Sequence, residues 1–379
     1  MTKGNITTAG TGSDPAGVGD IDFDGAVTID GAITITSDVT GTANDGKIDF
    51  ATNTINAEGN DTDSLTLLSG SGAITVGTIG VTTPLDALSI NASGSAASAL
   101  TIKQIGTFAG AAGVNGTTTI GNASTTSVDL NDTQFNFGGA TTITAAGDIT
   151  TDAGISIKTN NDLTFNPNQG ASGAALKTTG DFDIVATTSN DTVTIAGNIV
   201  GVDDTSNEDI TIVAGASSGT DGGTITLGGT VGTEIRAVTL TAGTAINLGG
   251  DITTINVTGN NVDINGPAIL TANVDIDTSL NDGSIDFSST INNAASGGPF
   301  NLQLDTGSGA IGVTGVIGGS ASIGTIDINQ TDGAGVITLA GIGNGTTAAG
   351  NTGQVDIGNS ATADLNLSGT FFTNGQTTY

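Results

Sequence analysis

Apolar and polar residues alternate in short triplets along the whole chain. Ile21-Asp22-Phe23, Val27-Thr28-Ile29, Ile33-Thr34-Ile35 and Ile48-Asp49-Phe50 open the series. Val128-Asp129-Leu130, Val193-Thr194-Ile195, Val262-Asp263-Ile264 and Ile285-Asp286-Phe287 continue it. A period of two sends the apolar side chains to one face and the Thr or Asp to the other, which is the signature of a strand. The β-branched residues suit that surface. Between the triplets lie Gly, Asn, Asp, Ser and Ala, the residues of turns. No stretch sustains the i, i+3, i+4, i+7 spacing of a helix.

Strands of about three to five residues are shorter than the usual 5–6 or so of sandwiches and barrels. Closely spaced short strands fit a chain that winds round a narrow core. Each triplet then stacks on the next turn, about 4.8 Å away. The predicted fold class is all-β, an elongated parallel β-helix (β-solenoid). Its inward Ile, Val, Leu and Phe form columns, and its outward Thr, Asn and Asp form ladders. Turns of about 20–25 residues would give roughly 15–19 coils.

A longer period overlies the short one. Asn44-Asp45-Gly46-Lys47-Ile48-Asp49-Phe50 recurs as Asn281-Asp282-Gly283-Ser284-Ile285-Asp286-Phe287. Gly70-Ser71-Gly72-Ala73-Ile74 recurs as Gly307-Ser308-Gly309-Ala310-Ile311, at the same offset that separates Gly46 from Gly283. Leu100-Thr101-Ile102 answers to Ile337-Thr338-Leu339, Ile120-Gly121-Asn122 to Ile357-Gly358-Asn359, and Phe135 to Phe372, all at that one offset. Residues near 40–137 and 277–374 therefore read as two copies of one module within a single continuous solenoid spanning 1–379. Such self-similarity marks a quasi-one-dimensional architecture. The polar stretch Gly201–Asp209, with Asp203, Asp204, Glu208 and Asp209, reads as a surface excursion.

Composition narrows the chemistry. The chain has 61 Gly, 3% aromatic and 11% charged residues, so a thin repetitive core of small aliphatic side chains is the one it can build. Acidic residues outnumber basic ones 37 to 6, for a net charge of −31. No basic patch can form, which disfavours nucleic acid and anionic membranes and invites divalent cations as counter-ions. No stretch approaches 18 apolar residues, so membrane insertion is not expected. With no Cys, disulfides, thiolate metal sites and Cys nucleophiles are excluded.

With no His, no His-based catalytic pair exists. Arg236 is the one Arg, Tyr379 the one Tyr, and Trp is absent, so anionic-sugar clamps and aromatic sugar platforms are poorly supplied. No catalytic residue is assigned, no cofactor is required, and the chain is not expected to be an enzyme. Calcium is the one ion with a sequence candidate. Asp20-Ile21-Asp22-Phe23-Asp24-Gly25 has the D-x-D-x-D-G opening of a calcium loop, although the twelfth position is Gly31 rather than Glu. An alternating strand is the simpler reading of these residues. On a strand, alternate Asp side chains lie about 6.5–7 Å apart, too far for Asp20, Asp22 and Asp24 all to hold one ion. Exposed Thr rows have some likeness to ice-binding solenoids. Those need a flat, evenly spaced face, and the uneven coil spacing here argues against one.

The Gly-x-Ile-Thr-Leu style of repeat, with Asn and Asp turns and no Cys or His, resembles the filamentous haemagglutinin-type exoproteins. It is also similar to the giant β-strand-repeat surface proteins of bacteria. The resemblance is one of texture over essentially the whole chain and transfers no functional residue. It implies a right-handed coil, secretion to the cell surface or a fibre, and a role in adhesion or matrix. The expected function is a non-catalytic structural segment of a bacterial extracellular fibre or adhesin stalk. Its expected partners are further copies or repeats of itself, assembled end to end, and a host or surface glycan or protein receptor. The alternative is a glycan-binding or glycan-cleaving β-helix.

Overall fold

The computed structural model describes residues 4–8, 19–37, 45–59, 62–93, 98–152, 154–167, 173–202, 207–215, 222–329, 333–345 and 350–379. Among them the regular structure is β-strand, apart from one 3-10 turn at Ser279–Asn281. Every strand pairing with a described register is parallel, and the strands stack as a β-solenoid of about 13 turns. Many turns are longer than the sequence spacing suggested. A tight circuit runs from Leu227 to its register partner Leu248, whereas a wide one runs from Ile35 to Leu67. Fewer coils therefore use up the chain than expected.

The chain divides into two compact units, Met1–Thr179 with Asp183–Thr187, and Gly180–Phe182 with Thr188–Tyr379. Each unit has three strand ladders per turn. In the first unit, one face runs through Ile21–Asp22, Ile48–Asp49, the start of Ile74–Ile79 and of Ala99–Ile105, Ser127–Leu130, Ile149–Thr151 and Ala175–Thr178. A second runs through Val27–Ile29, Thr54–Ala57, the ends of those two long strands, Gln134–Phe137 and Ile155–Thr159. The third takes Ile6–Thr7, Ala32–Thr36, Ser64–Leu68, Ala87–Ile90, Thr118–Ile120, Thr141–Thr144 and Leu163–Asn166.

In the second unit the first face runs from Asn198–Gly201 through Val231–Gly232, Ile252–Thr253, Val274–Asp277, Leu302–Asp305, Ile326–Ile328 and Val355–Ile357 to Thr377–Thr378. The second runs from Glu208–Ala214 through Ile235–Ala242, Val262–Asn265, Ile285–Phe287, Ile311–Val313 and Val336–Leu339 to Asp364–Leu367. The third joins Thr192–Ile195, Thr224–Leu227, Ala245–Leu248, Ala268–Leu270 and Ile291–Asn293, and continues through single bridges at Ile317, Ile342 and Phe371.

The alternating pattern works as the sequence implies. Val238, Val262, Ile285, Ile311 and Ile337 form one inward column and are at most 1% exposed. Full burial of such a side chain stabilises by about 1.5–3 kcal/mol. Phe50, Phe135, Phe137, Phe165, Phe182 and Phe287 are also fully buried. Phe23 stacks on Phe50, one strand away, with ring centroids 4.3 Å apart and planes 2° from parallel.

A recurring corner bond explains how circuits of unequal length coexist with even strand stacking. A buried hydroxyl donates to a carbonyl across the turn: Ser37 Oγ to Gly46 O at 2.6 Å, Ser69 Oγ to Gly72 O at 2.5 Å, Thr278 Oγ1 to Gly283 O at 2.7 Å, and Thr306 Oγ1 to Gly309 O at 2.8 Å. The bracket spans nine, three, five and three residues in these cases, yet it closes with the same bond. Added residues are absorbed between its ends, and the strands on either side keep their places. The hydroxyl satisfies a polar group that would otherwise be buried without a partner.

The two copies of the long repeat wind alike. Ile48, Ile74, Leu100 and Val128 are successive register partners in one unit, and Ile285, Ile311, Ile337 and Leu365 are successive partners in the other. The Ser71 amide donates to Asp45 at 2.8 Å, and the Ser308 amide donates to Asp282 at 2.7 Å. Gly70 and Gly307 both take positive φ, +58° and +60°. One correspondence shifts. Phe135 pairs with Ile105, and Phe371 rather than Phe372 pairs with the matching Ile342. The second circuit is shorter by one position there, which leaves Phe372 44% exposed.

The corner glycines face the backbone of the preceding turn. A Cβ on Gly72 would lie 2.1 Å from Gly46 O, whereas one on Gly25 would meet nothing within 4 Å. Gly72→Ala is expected to destabilise the first unit by about 1–3 kcal/mol, the usual range for overpacking, and Gly25→Ala by less than about 0.5 kcal/mol. Denaturant melts of both variants, with hydrogen exchange at Ile48 and Ile74, check this.

Candidate functional site

The outward positions are where a solenoid meets its surroundings. On the third face of the first unit they form a hydroxyl column: Thr34, Thr66, Ser89, Thr119, Thr142 and Thr164 are successive register partners. Unequal circuit length does not break this column, because the extra residues leave at the corners. In the second unit the corresponding positions run Thr194, Thr226, Asn247, Ile269, Asn292, a mixed surface. There the Asn247 side-chain amide donates to Thr226 Oγ1 at 3.0 Å.

The proposed calcium residues are individually committed to other bonds or to solvent. The Lys47 amide donates to Asp20 Oδ1 at 2.9 Å, and Lys47 Nζ lies 2.8 Å from Asp22 Oδ1. The same ammonium reaches Asp49 Oδ2 at 3.2 Å. Asp24 lies just beyond the strand and is exposed. The hydrogen bonds that Lys47 donates to the Asp22 and Asp49 carboxylates raise its pKa above the ordinary value. Among the described residues, no group of three or more acidic side chains is arranged to hold a metal ion.

Of the acidic stretch read as a surface excursion, Asp203 and Asp204 lie outside the described residues. Gly201 and Glu208–Asp209 belong to strands, and Glu208 is fully buried. The register shift between Glu208 and Asp209 places Arg236 at the bulge. Its guanidinium grips Asp209 through two bonds, Nε to Oδ1 at 2.7 Å and Nη2 to Oδ2. Arg236 is thereby raised further above its usual range.

The second unit gathers acid along its first face. Asp275, Gln303, Asp327 and Asp356 are successive outward partners, and Asp277 stacks on Asp305. Burial, then the neighbouring carboxylates of Asp305, Asp251, Asp277 and Asp327, push the Asp275 carboxyl up to about 6. Asp263 is also raised, by burial first and then by Asp286, its register partner. The sequence singles out none of Asp275, Asp327 and Asp356. The signal that joins them is register, which emerges only when the turn lengths are known.

Aromatic side chains supply little surface. Among the described residues, the exposed large hydrophobic side chains are Val202, Leu280, Leu367, Phe372 and Tyr379. Of the lysines, Lys177 pairs with Asp148 at 2.7 Å and Lys103 donates to Asn131. Neither is set in an apolar pocket beside a hydroxyl nucleophile.

A carboxyl whose pKa is raised on folding binds its proton more tightly in the folded state. Stability then falls as pH rises from about 4 through about 6 at Asp275. Asp275→Asn removes that dependence. In buffer free of divalent cations, it is expected to stabilise the fold at pH 7 by about 1 kcal/mol, after discounting for partial solvent exposure. It should have little effect at pH 4. Urea melts at both pH values test this.

No family model, no curated protein and no solved structure matches the chain.

Proposed function

We propose that this protein is a non-catalytic structural segment of a bacterial extracellular fibre or adhesin stalk. In this reading it is of the filamentous haemagglutinin or β-strand-repeat kind, and it associates end to end with further copies of itself. The stretches around Gly46 and Gly283 are copies of one module, and the solenoid gains length by repeating it.

The observation that carries this reading is the repeated module, which winds in the same register in both copies, Ile48, Ile74, Leu100 and Val128 in one and Ile285, Ile311, Ile337 and Leu365 in the other. Ser127–Leu130 is covered by Ile149–Thr151, and Val128 and Leu130 are fully buried. Its counterpart Asp364–Leu367 is paired on one side by Val336–Leu339, with Leu367 40% exposed beside Phe372 at 44% and Tyr379 at 60%. An edge of parallel strand with apolar side chains is a template for pairing with another chain. Further repeats or a second copy, whose strands carry the same spacing and the same columns, stack on such an edge.

The rest of the fold supports an inert role. Stability is spread over many equivalent rungs, each held by its neighbours. The outer surface is Thr, Ser, Asn and Asp, which keeps the sides hydrated. Excess negative charge opposes lateral aggregation. The glycan-cleaving alternative wants two carboxyls flanking a sugar with an aromatic platform beside them. The carboxylates here stack in register along the coil, and the exposed aromatics Phe372 and Tyr379 lie on the last turn.

Electron microscopy and sedimentation velocity of the purified chain, at about 1–100 µM, test the assembly. Strings of end-joined particles whose length grows with concentration are expected. The double substitution Leu367→Asp, Phe372→Asp should abolish them while leaving the far-ultraviolet spectrum intact. A wild-type chain that stays monomeric throughout, or strings unchanged by the double substitution, contradicts the reading.

A further inference from the structure

With no Cys, the chain cannot tie its turns together through disulfides. One side-chain cluster in the first unit has the parts to make such a tie from other atoms. Ala99–Ile105 and Ser127–Leu130 stack in register, with Thr101 on Asp129 and Ile102 on Leu130. One position further along, Lys103 and Asn131 meet across the two turns, and Lys103 Nζ donates to Asn131 Oδ1. Asp129 stands two residues before Asn131 on the same outward side, and the Asn131 side chain hydrogen-bonds to it. From the next turn, Thr150 Oγ1 donates to Asp129 Oδ1 at 3.0 Å. Lys103, Asp129 and Asn131 are all half-buried.

Lys47, Lys177 and Arg236 meet carboxylates: Asp22 with Asp49, Asp148, and Asp209. Lys103 is aimed instead at a carboxamide, whose carbon is an electrophile. A nitrogen hydrogen-bonded to a carboxamide oxygen lies near the adjoining carbon, and reacting atoms about 3–3.5 Å apart form a near-attack pair. Asp129 lies where a proton must move, bonded to the Asn131 side chain and within electrostatic reach of Lys103. Burial, the largest influence on it, raises the Asp129 carboxyl above its ordinary value, which makes it a better base than an exposed aspartate. The second copy of the long repeat has Ala340, Asn366 and Ser368 at the positions of Lys103, Asp129 and Asn131, so the three are replaced together.

We infer that Lys103 and Asn131 join spontaneously in an isopeptide bond, with Asp129 carrying the proton. The Asp129 carboxylate takes a proton from the Lys103 ammonium, and the freed amine attacks Asn131 Cγ. A bond forms between Nζ and Cγ. The Cγ–Nδ2 bond then breaks as Asp129 hands its proton to the departing nitrogen. The balance is an ammonium and a carboxamide giving a secondary amide and a free ammonium ion, with no oxidant, cofactor or second substrate. Each chain reacts once, so the step is a self-modification and not enzyme turnover. The product ties two successive turns between partners 28 residues apart in sequence. A cross-link of this kind stabilises chiefly by restricting the unfolded chain. The inference stands apart from the fibre reading and does not depend on it.

Intact-mass spectrometry of the full chain, purified folded and then denatured, reads the bond directly. The wild-type chain is expected to be lighter than its sequence by the mass of one ammonia, and proteolysis should yield a branched peptide joining Lys103 to Asn131. Lys103→Arg and Asn131→Ala should each restore the full mass, and Asp129→Asn should lower the linked fraction at least tenfold. The control Lys177→Arg should leave the link intact. Circular dichroism confirms that each variant is folded, and the linked wild type should melt at a higher temperature than folded Lys103→Arg. A wild-type chain at full mass, or a branched peptide joining other residues, overturns the proposal. Ammonia loss that persists in Lys103→Arg also overturns it, because Asn131 would then be closing on its own backbone. A folded Asp129→Asn chain that links as fully as wild type overturns the role given to Asp129.

Discussion

The structure depends on register. Each strand lies parallel to its neighbour with side chains matched position for position, so every choice made once along the chain is repeated on the next turn about 4.8 Å away. Apolar on apolar yields the inward columns, such as Ile48, Ile74, Leu100 and Val128. Hydroxyl on hydroxyl yields the ladder from Thr34 to Thr164. Carboxylate on carboxylate yields the charged columns. The first outcome stabilises the fold and the second hydrates it. The third is unfavourable unless something positive intervenes, which is why Lys47 lies where it does.

The corners let this register survive an irregular sequence. A buried Ser or Thr and a facing Gly carbonyl close the turn whether the bracket is as short as Ser69 to Gly72 or as long as Ser37 to Gly46. The glycines matter for space as much as for conformation. Gly72 packs so closely on Gly46 of the previous turn that a side chain there would collide with backbone. A chain built this way tolerates insertions at its corners and resists substitutions at its glycines, the reverse of the usual loop and core roles.

Strand positions and the inward-facing residues were legible in the sequence, because a period of two leaves no choice of face. Triplets such as Val262-Asp263-Ile264 alternate buried, half-buried and buried in the order their residues imply. Circuit length was not legible. The triplets mark strands but do not say which strand begins a new turn, and three faces per turn with corner insertions give circuits longer than the triplet spacing suggests. The candidate site suffered from the same gap. Asp20, Asp22 and Asp24 are neighbours in sequence, so they drew attention, although a strand spreads them apart. Asp327 and Asp356 lie a full circuit apart in sequence and become neighbours only through register. Glu208 looked like a loop residue for its company and proved to be a buried strand residue.

Distances measured between spin labels test parallel in-register winding most directly, and the absence of native Cys makes such labelling clean. With one label at Thr34 and a second placed in turn at Ser89, Thr119, Thr142 and Thr164, the separation should grow by about 4.8 Å per strand. It should reach about 24 Å at Thr164, five strands along the column, although the two positions are far apart in sequence. Distances that jump irregularly along the series, or that scatter widely at a single position, would contradict the account.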